Sequence, residues 1–466
     1  MATPDLTALD ERTLGEWLLG RRWFGSKAEE VSHVGVLDAM ALDDTDPALL
    51  LALVEARFPT GTHHVYQLLF GVRPAEEGWT EGRVEDLDGA TVYDAFADPD
   101  AYRRLGRLLA ERATIEGGAA SVSFHWVDGV EPPGPEAQVR AMGAEQSNSS
   151  VVFDDAYALK AFRRLEAGDN PELEMLRFLT ERGFPNVAEL VGWAEYTGDL
   201  MDATLAVVQR FVHGGRDGWE LALDELGSDP EAFVARMEQL GVVIGEMHTA
   251  LGSDANDPAF APEEPSVEST SLITATIDEQ IERLFVDLPH DDPALAPIAH
   301  RGEEVRDRLS LLSHVGGGGK LIRHHGDLHL GQTLLAGGPD PIWIVLDFEG
   351  EPARPLTERR RKRSALRDVA GMLRSFAYAA SAADLQRGVT APEGWEDRTR
   401  EAFLDGYFGA VDQNLLPPGE SNTRTLLTIF ELEKAVYELR YELNNRPDWV
   451  RIPVAGIARL LEEPVP

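Results

Sequence analysis

The sequence predicts an α+β chain in two lobes: a β-rich cap and a small mixed lobe first, then a mainly helical lobe. Three observations carry that expectation. Apolar runs of strand length, bounded by Gly, Pro and Asp, crowd the chain before position 210, whereas helical periodicity dominates from 211 onward. Short polar motifs flank apolar strands once in each half, at 146–162 and again at 325–350. The boundaries that follow are a cap over 1–95, an intermediate portion over 96–210 and a helical portion over 211–466.

Taken in order, the cap opens with an amphipathic helix around Leu14, Trp17 and Leu18, followed by Arg21-Arg22-Trp23-Phe24-Gly25. Strands are expected at Val31–Met40, Leu49–Phe58 and His63–Val72, the last two antiparallel across the turn Pro59–Thr62. A helix near Tyr102–Ala113 starts the intermediate portion, and Gly129–Gly134 reads as a connection. Val151-Val-Phe153 and Ala156–Phe162 then form strand, turn, strand about Asp154-Asp155. Ala203–Val212 is a strand ending at Gly214-Gly215, where a hinge between lobes would lie. Residues 230–251 make one long helix in which His248 is a packed residue rather than a ligand. Further helices fall within 275–313, and Gly316–Gly319 is a flexible break. After the strand Pro341–Leu346, helices are expected near 364–382, 397–412 and 422–445.

The chemistry sits in two places. Residues 325–332 read His-Gly-Asp-Leu-His-Leu-Gly-Gln, and Asp347-Phe348-Glu349-Gly350 ends the next strand. That spacing resembles the catalytic half of protein-kinase-type phosphotransferases, which makes the two-lobed expectation a bilobal kinase-like fold. Asp327 would orient an acceptor hydroxyl and take its proton late. Gln332 and Asp347 offer hard oxygens for Mg²⁺, and ATP is the implied donor. The bland alternative is a hydrogen-bonded turn, since Asp and His often serve loops that way.

Upstream, Lys160 stands inside an apolar strand, in a chain with only five lysines among 43 basic residues. A Lys kept where Arg prevails elsewhere suits a compact ammonium on the α- and β-phosphates. Its expected carboxylate partner is Glu174, with Glu172 as the fallback, on the helix opened by Asn170-Pro171. Gln146-Ser147-Asn148-Ser149-Ser150 is read as a polar turn over the phosphates, and backbone near Gln209 and Phe211 as the adenine edge. A snorkelling edge-strand lysine and an ordinary core strand are the alternatives.

Charge and composition bound the partners. A net charge of −38 would repel nucleic acid. ATP must bind against the same field, and Lys160 and the Arg-rich segment 359–363 are candidates to offset it. No run reaches the length of a membrane span, and the start lacks the features of a signal peptide. Zero cysteines exclude disulfide and thiol chemistry and place no demand on redox compartment, and a cytoplasmic location is expected for an ATP-dependent enzyme. The acidic, lysine-poor composition also fits a high-salt host or a GC-rich genome.

Gly350-Glu-Pro-Ala-Arg-Pro-Leu-Thr-Glu-Arg-Arg-Arg-Lys362, continuing Arg367-Asp368-Val-Ala-Gly-Met-Leu-Arg-Ser-Phe376, resembles the maltokinases. These belong to the aminoglycoside-phosphotransferase-like and eukaryotic-kinase-like enzymes. The likeness extends to Arg22–Gly25, to 146–164, and to Phe430–Glu438 with Asn445–Pro447. It implies ATP- and Mg²⁺-dependent phosphorylation of maltose at its anomeric hydroxyl, in trehalose-to-α-glucan metabolism alongside trehalose synthase.

On the acceptor side, Lys434, Tyr437, Glu438, Tyr441 and Glu442 share a helix face, and Trp449 follows as a possible cap over a sugar. His329 and Glu349 are assigned to the same substrate site. A row of ion pairs on a half-exposed helix is the competing reading. Glucosamine or an aminoglycoside is the alternative acceptor. An inactive kinase-fold module that docks a partner is the alternative of another class, and it would be expected to have lost Lys160, Asp327 or Asp347.

Overall fold

The computed structural model describes residues 4–25, 30–142, 147–289, 291–311, 319–352 and 354–462, without the side chains of 267–274 and 276. Gln146 and most of the expected break at Gly316–Gly319 lie outside the described residues. The chain divides into two compact units, Met1–Arg177 with Ala188–His213, and Phe178–Val187 with Gly214–Pro466.

Two antiparallel sheets make up the first unit. In one, His33–Asp43, Ala48–Arg57, His63–Pro74, Ala90–Asp94 and Arg83–Leu87 are neighbours in that order, and Arg164–Leu165 adds to His63–Pro74. The hairpin expected across Pro59–Thr62 is present, with Arg57 opposite His63 and Ala48 opposite Val72. Ala48–Arg57 is buried along nearly its whole length. Its even-numbered residues from Leu50 to Phe58 pack with Leu14 and Trp17 of the helix Glu11–Leu19, and with Trp23 and Phe24, in one core.

The other sheet runs Thr114–Gly117, Ala120–Trp126, Leu190–Gly198, Asp202–Arg210, Tyr157–Phe162, Asn148–Phe153, Val139–Ala141. Strict alternation of burial in Ala120–Trp126 shows a strand with one covered face. Tyr157–Phe162, which carries Lys160, lies inside this sheet with partners on both sides.

Buried polar groups join the two sheets. Gln67 donates from its side chain to the carbonyls of Phe162 and Leu205, each at 3.1 Å, and from its backbone to Arg163 O at 2.8 Å. Arg163 is fully buried. Its guanidinium reaches Asp94 at 3.0 Å and Ser149 Oγ at 2.8 Å, and lies over the rings of Trp23 and Phe96.

The second unit is mainly helical. Pro230–Leu251 packs along Trp395–Ala410 so closely that a Cβ on Gly241 would fall 2.0 Å from Phe403 O, which requires glycine there. Leu366–Arg387, Glu420–Asn445 and Arg451–Glu462 pack on one another, and Gly218–Ser228 and Pro230–Leu251 pack on a small sheet of Arg216–Asp217, Thr333–Ala336 and Ile342–Val345. Among the described residues no helix is long and apolar enough to cross a membrane.

Breaking a buried ion pair strands the remaining charge, which costs about 3–5 kcal/mol. Arg163→Ala is therefore expected to lower unfolding free energy by that amount, read from a urea midpoint. Arg164→Ala, on an exposed neighbour, is expected to leave the midpoint nearly unchanged.

Candidate active site

In the first unit, Lys160 Nζ lies 2.7 Å from Glu172 Oε2, and the other oxygen of Glu172 accepts from Gln209 Nε2 at 3.2 Å. The expected partner Glu174 is thus corrected to Glu172, the fallback. Two positions along a helix turn a side chain by about 200°, so only one of the pair can face the strand. Glu172 is the buried one, and Asn170 Oδ1 accepts from its backbone N–H at 2.8 Å.

The polar turn expected at 146–150 is also corrected. Asn148–Phe153 is a strand, with Ser150 opposite Lys160 and Ser149 opposite Ala161. Alternation puts Asn148 and Ser150 on the Lys160 face and turns Ser149 the other way. There it is buried and bonded to Arg163, leaving it no part in a phosphate loop. Ser147 is an exposed bend. At the adenine edge expected near Gln209 and Phe211, two backbone amides and one side chain are engaged within the chain. The amide of Phe211 donates to Ala156 O and that of Arg210 to Glu189 O, and the Gln209 side chain goes to Glu172.

In the second unit the hairpin Thr333–Ala336 with Ile342–Val345 pairs Thr333 with Val345. That register brings the residues just outside it together: Leu346 N–H donates to Gln332 O, and Gln332 Nε2 to Asp347 Oδ2 at 2.8 Å. Asp347 adopts φ +64°, a left-handed backbone that Asp tolerates better than most residues. The carboxylate oxygens of Asp347 and Glu349 lie within 4.8 Å of each other. Together they offer hard oxygens that fit a divalent cation such as Mg²⁺, and the Gln332 amide, whose nitrogen faces Asp347, would add its oxygen on turning over. Glu349 is thereby corrected from the substrate site to this group. The acidic residue of that segment lining the substrate cavity is Glu351.

The loop carrying Asp327 is fixed from below. His325 Nε2 meets Leu346 O at 2.8 Å, and the backbone N–H groups of His325 and Gly326 donate to Asp368 at 2.7 and 2.9 Å. Asp368 is buried and also meets His248 Nε2 at 3.0 Å, while His248 Nδ1 meets Tyr407 OH at 3.1 Å. Burial works against the charged carboxylate, but the hydrogen bond from His248 helps hold it well below the usual range. Asp368 escaped notice in the sequence, although a lone carboxylate on the apolar turn Leu366–Ala370 was a legible signal. Leu330 N–H donates to Ser375 Oγ, and a Cβ on Gly371 would come within 2.6 Å of Leu328 O. The helix backbone therefore lies directly against the loop.

Asp327 opens on a cavity of 580 Å³. His329, Lys434, Tyr437, Glu438, Tyr441 and Trp449 line it, as do Trp219, Tyr378, Glu442 and Arg446. Trp219 and Tyr378 lie far from this helix in sequence, so periodicity gave no means of finding them. His329 accepts from Gly331 N–H at 3.1 Å, and burial keeps its imidazole below the usual range.

Each carboxylate in the cavity has a cation beside it. Asp327 is 3.5 Å from Lys434, Glu351 2.5 Å from Arg354, Glu438 2.9 Å from Arg374 and Glu442 2.5 Å from Arg446. Glu438 lines the cavity and is buried, and its Oε2 accepts from Arg374 Nε and Nη2. Trp449 stacks on Tyr378 with ring centroids 6.3 Å apart, leaving aromatic faces on the wall.

Residues 17–98 match the family model of the maltokinase N-terminal cap domain. The chain is 26% identical to a glucosamine kinase of Streptacidiphilus jiangxiensis over 408 residues, covering 84% of this chain and 88% of that protein. It is 28% identical to a glucosamine kinase of Mycolicibacterium smegmatis over 339 residues, or 70% and 80% of the two chains. A glucosamine kinase structure in complex with glucosamine, ADP and inorganic phosphate shares the fold at TM-score 0.70 and 20% identity, over 99% of this chain and 100% of that one.

Replacing Asp368 by Asn removes a charge that three donors face, a loss of about 1.5–3 kcal/mol. Asp368→Asn is expected to lower the melting temperature and speed amide exchange at His325 and Gly326. Tyr407→Phe, which deletes one outer hydrogen bond, is expected to change both less. Equal exchange rates in the two variants would contradict this account.

Proposed function

We propose that this chain, whose residues 17–98 match the maltokinase N-terminal cap domain, transfers the γ-phosphate of ATP to a hydroxyl of a sugar. The acceptor is maltose and the hydroxyl its anomeric one. The observation that carries this reading is the cavity in front of Asp327, with its aromatic walls and its matched carboxylates. A compensated, aromatic-lined cavity suits a neutral polyol: rings stack on the apolar sugar faces, and no unpaired carboxylate waits for an ammonium.

In this reading Asp327 orients the acceptor oxygen. That oxygen bonds to the γ-phosphorus as the bond to the bridging oxygen of ADP breaks, and the proton passes to Asp327 late. Lys434 holds the Asp327 carboxylate in place from the neighbouring helix. Lys160, kept in position by Glu172, binds phosphate oxygens of the nucleotide. Asp347, Gln332 and Glu349 would hold Mg²⁺, which neutralises phosphate charge when bound. Maltose 1-phosphate and ADP are the products, supplying α-glucan synthesis from trehalose in the cytoplasm. Trehalose synthase is the proposed partner.

Glucosamine is the second reading, favoured by the two relatives named as glucosamine kinases. A silent, partner-docking role is disfavoured by the joint presence of Lys160, Asp327 and Asp347.

Two measurements test the proposal. Asp327→Asn should keep the fold and nucleotide binding while slowing phosphoryl transfer by roughly two to four decades. Wild-type turnover in that variant would end the assignment of the base. With Mg-ATP saturating, kcat/KM should be highest for maltose in a panel with glucose, glucosamine and an aminoglycoside. Tyr441→Ala or Trp449→Ala should raise KM for the sugar far more than for ATP. A clear preference for glucosamine would replace the acceptor and leave the chemistry standing.

A further inference from the structure

A second cavity, of 90 Å³, lies beside Asp327, lined by the 324–328 loop, the segment from Gly350 to Asp368 and the helix around Lys434. It is too small for a sugar ring and large enough for one tetrahedral oxyanion. Each carboxylate in its lining has a basic neighbour, with Arg354 serving both Glu351 and Glu358. Besides the pairs of Asp327 and Glu351, Glu358 lies 3.5 Å from Arg354, Glu433 2.9 Å from Arg367 and Asp368 3.0 Å from His248.

Arg363 is left over. It sits on the short strand Arg363–Ser364, and its guanidinium has no hydrogen bond or ion pair among the described residues. Burial and the nearby Arg367 and Arg354 push its pKa down to about 10, the mark of a cation short of negative charge. His324 supplies a second unused group in the same lining: its Nδ1 is buried without a hydrogen-bond partner, and burial keeps the ring neutral, at about 4. A neutral imidazole can direct an N–H into the cavity as the guanidinium directs its fork.

We propose that this cavity binds a phosphate-class dianion, either inorganic phosphate or the phosphoryl group of a sugar phosphate. Arg363 provides a guanidinium without an ion-pair partner among the described residues and His324 a neutral donor. Asp327, Lys434 and Tyr437 line both this cavity and the larger one. An anion here therefore opposes acceptor binding, so that phosphate or a phosphorylated product restrains turnover. That consequence rests on the proposed sugar reading, whereas the anion site does not.

The test uses the full chain without nucleotide or sugar. Inorganic phosphate and, separately, glucose 1-phosphate are titrated calorimetrically at constant ionic strength, with chloride as the blank. Saturable millimolar or tighter binding of at least one is expected, weakened roughly tenfold by Arg363→Gln and unchanged by Lys160→Met. Binding of phosphate alone or of the ester alone identifies which source the site accepts. Should Arg363→Gln fail to fold, Arg363→Lys, which keeps the charge and loses the fork, is expected to weaken binding several-fold. The site is overturned if neither anion binds above chloride, if the folded Arg363 variant binds as tightly as wild type, or if only Lys160→Met loses binding. Sugar phosphorylation assayed separately would be untouched by that failure, so the two readings fall independently.

Discussion

The loop that carries Asp327 depends on one buried carboxylate. Asp368 accepts from two consecutive backbone amides, His325 and Gly326, and from His248 below. Loop amides buried without an acceptor would each carry a desolvation cost, so this interaction decides whether the loop has one conformation or several. The same helix brings Ser375 to the amide of Leu330 and passes its backbone beside Leu328 at Gly371. Loop and helix are thus bonded at both ends of the segment 325–330. The geometry of Gln332 and Asp347 follows from there, since both stand where the adjoining hairpin ends.

Charge is organised locally in a way that the total conceals. The chain carries −38, yet the four carboxylates lining the larger cavity each have a cation within 3.5 Å. Pairing offsets the mutual repulsion that would otherwise spread the walls apart. It also spends the carboxylates, and the wall left for a ligand is aromatic. Two of the five lysines, Lys160 and Lys434, lie against acidic partners at the proposed nucleotide and acceptor positions.

In the first unit the cap and the Lys160 strand form one packed body. Arg163 and Gln67 carry the connection, and both meet the cap sheet and the second sheet through buried hydrogen bonds. Arg163 follows Lys160 by three residues, so the cap bears on the strand that presents the lysine. Its contribution to the proposed chemistry is therefore the fixed position of Lys160.

The sequence alone determined several elements with their extents, but not the strands Ala120–Trp126 and Leu190–Gly198 or the start of the strand Asn148–Phe153. Helix and strand periodicities are local, and the long helix Pro230–Leu251 and the hairpin across Pro59–Thr62 were legible with their ends. The motif spacing was equally local, since Asp327, Gln332 and Asp347 lie within one loop and one hairpin. Tertiary structure alone decided which of two nearby carboxylates meets Lys160, which way Ser149 faces, and that Glu438 is already taken by Arg374. It also decided that Asp368, 41 residues beyond Asp327 in the numbering, holds the loop. The physical reason is the same in each case. Periodicity fixes which residues share a face, but a polar side chain's partner is set by the surface that packs against it, and that surface comes from distant chain.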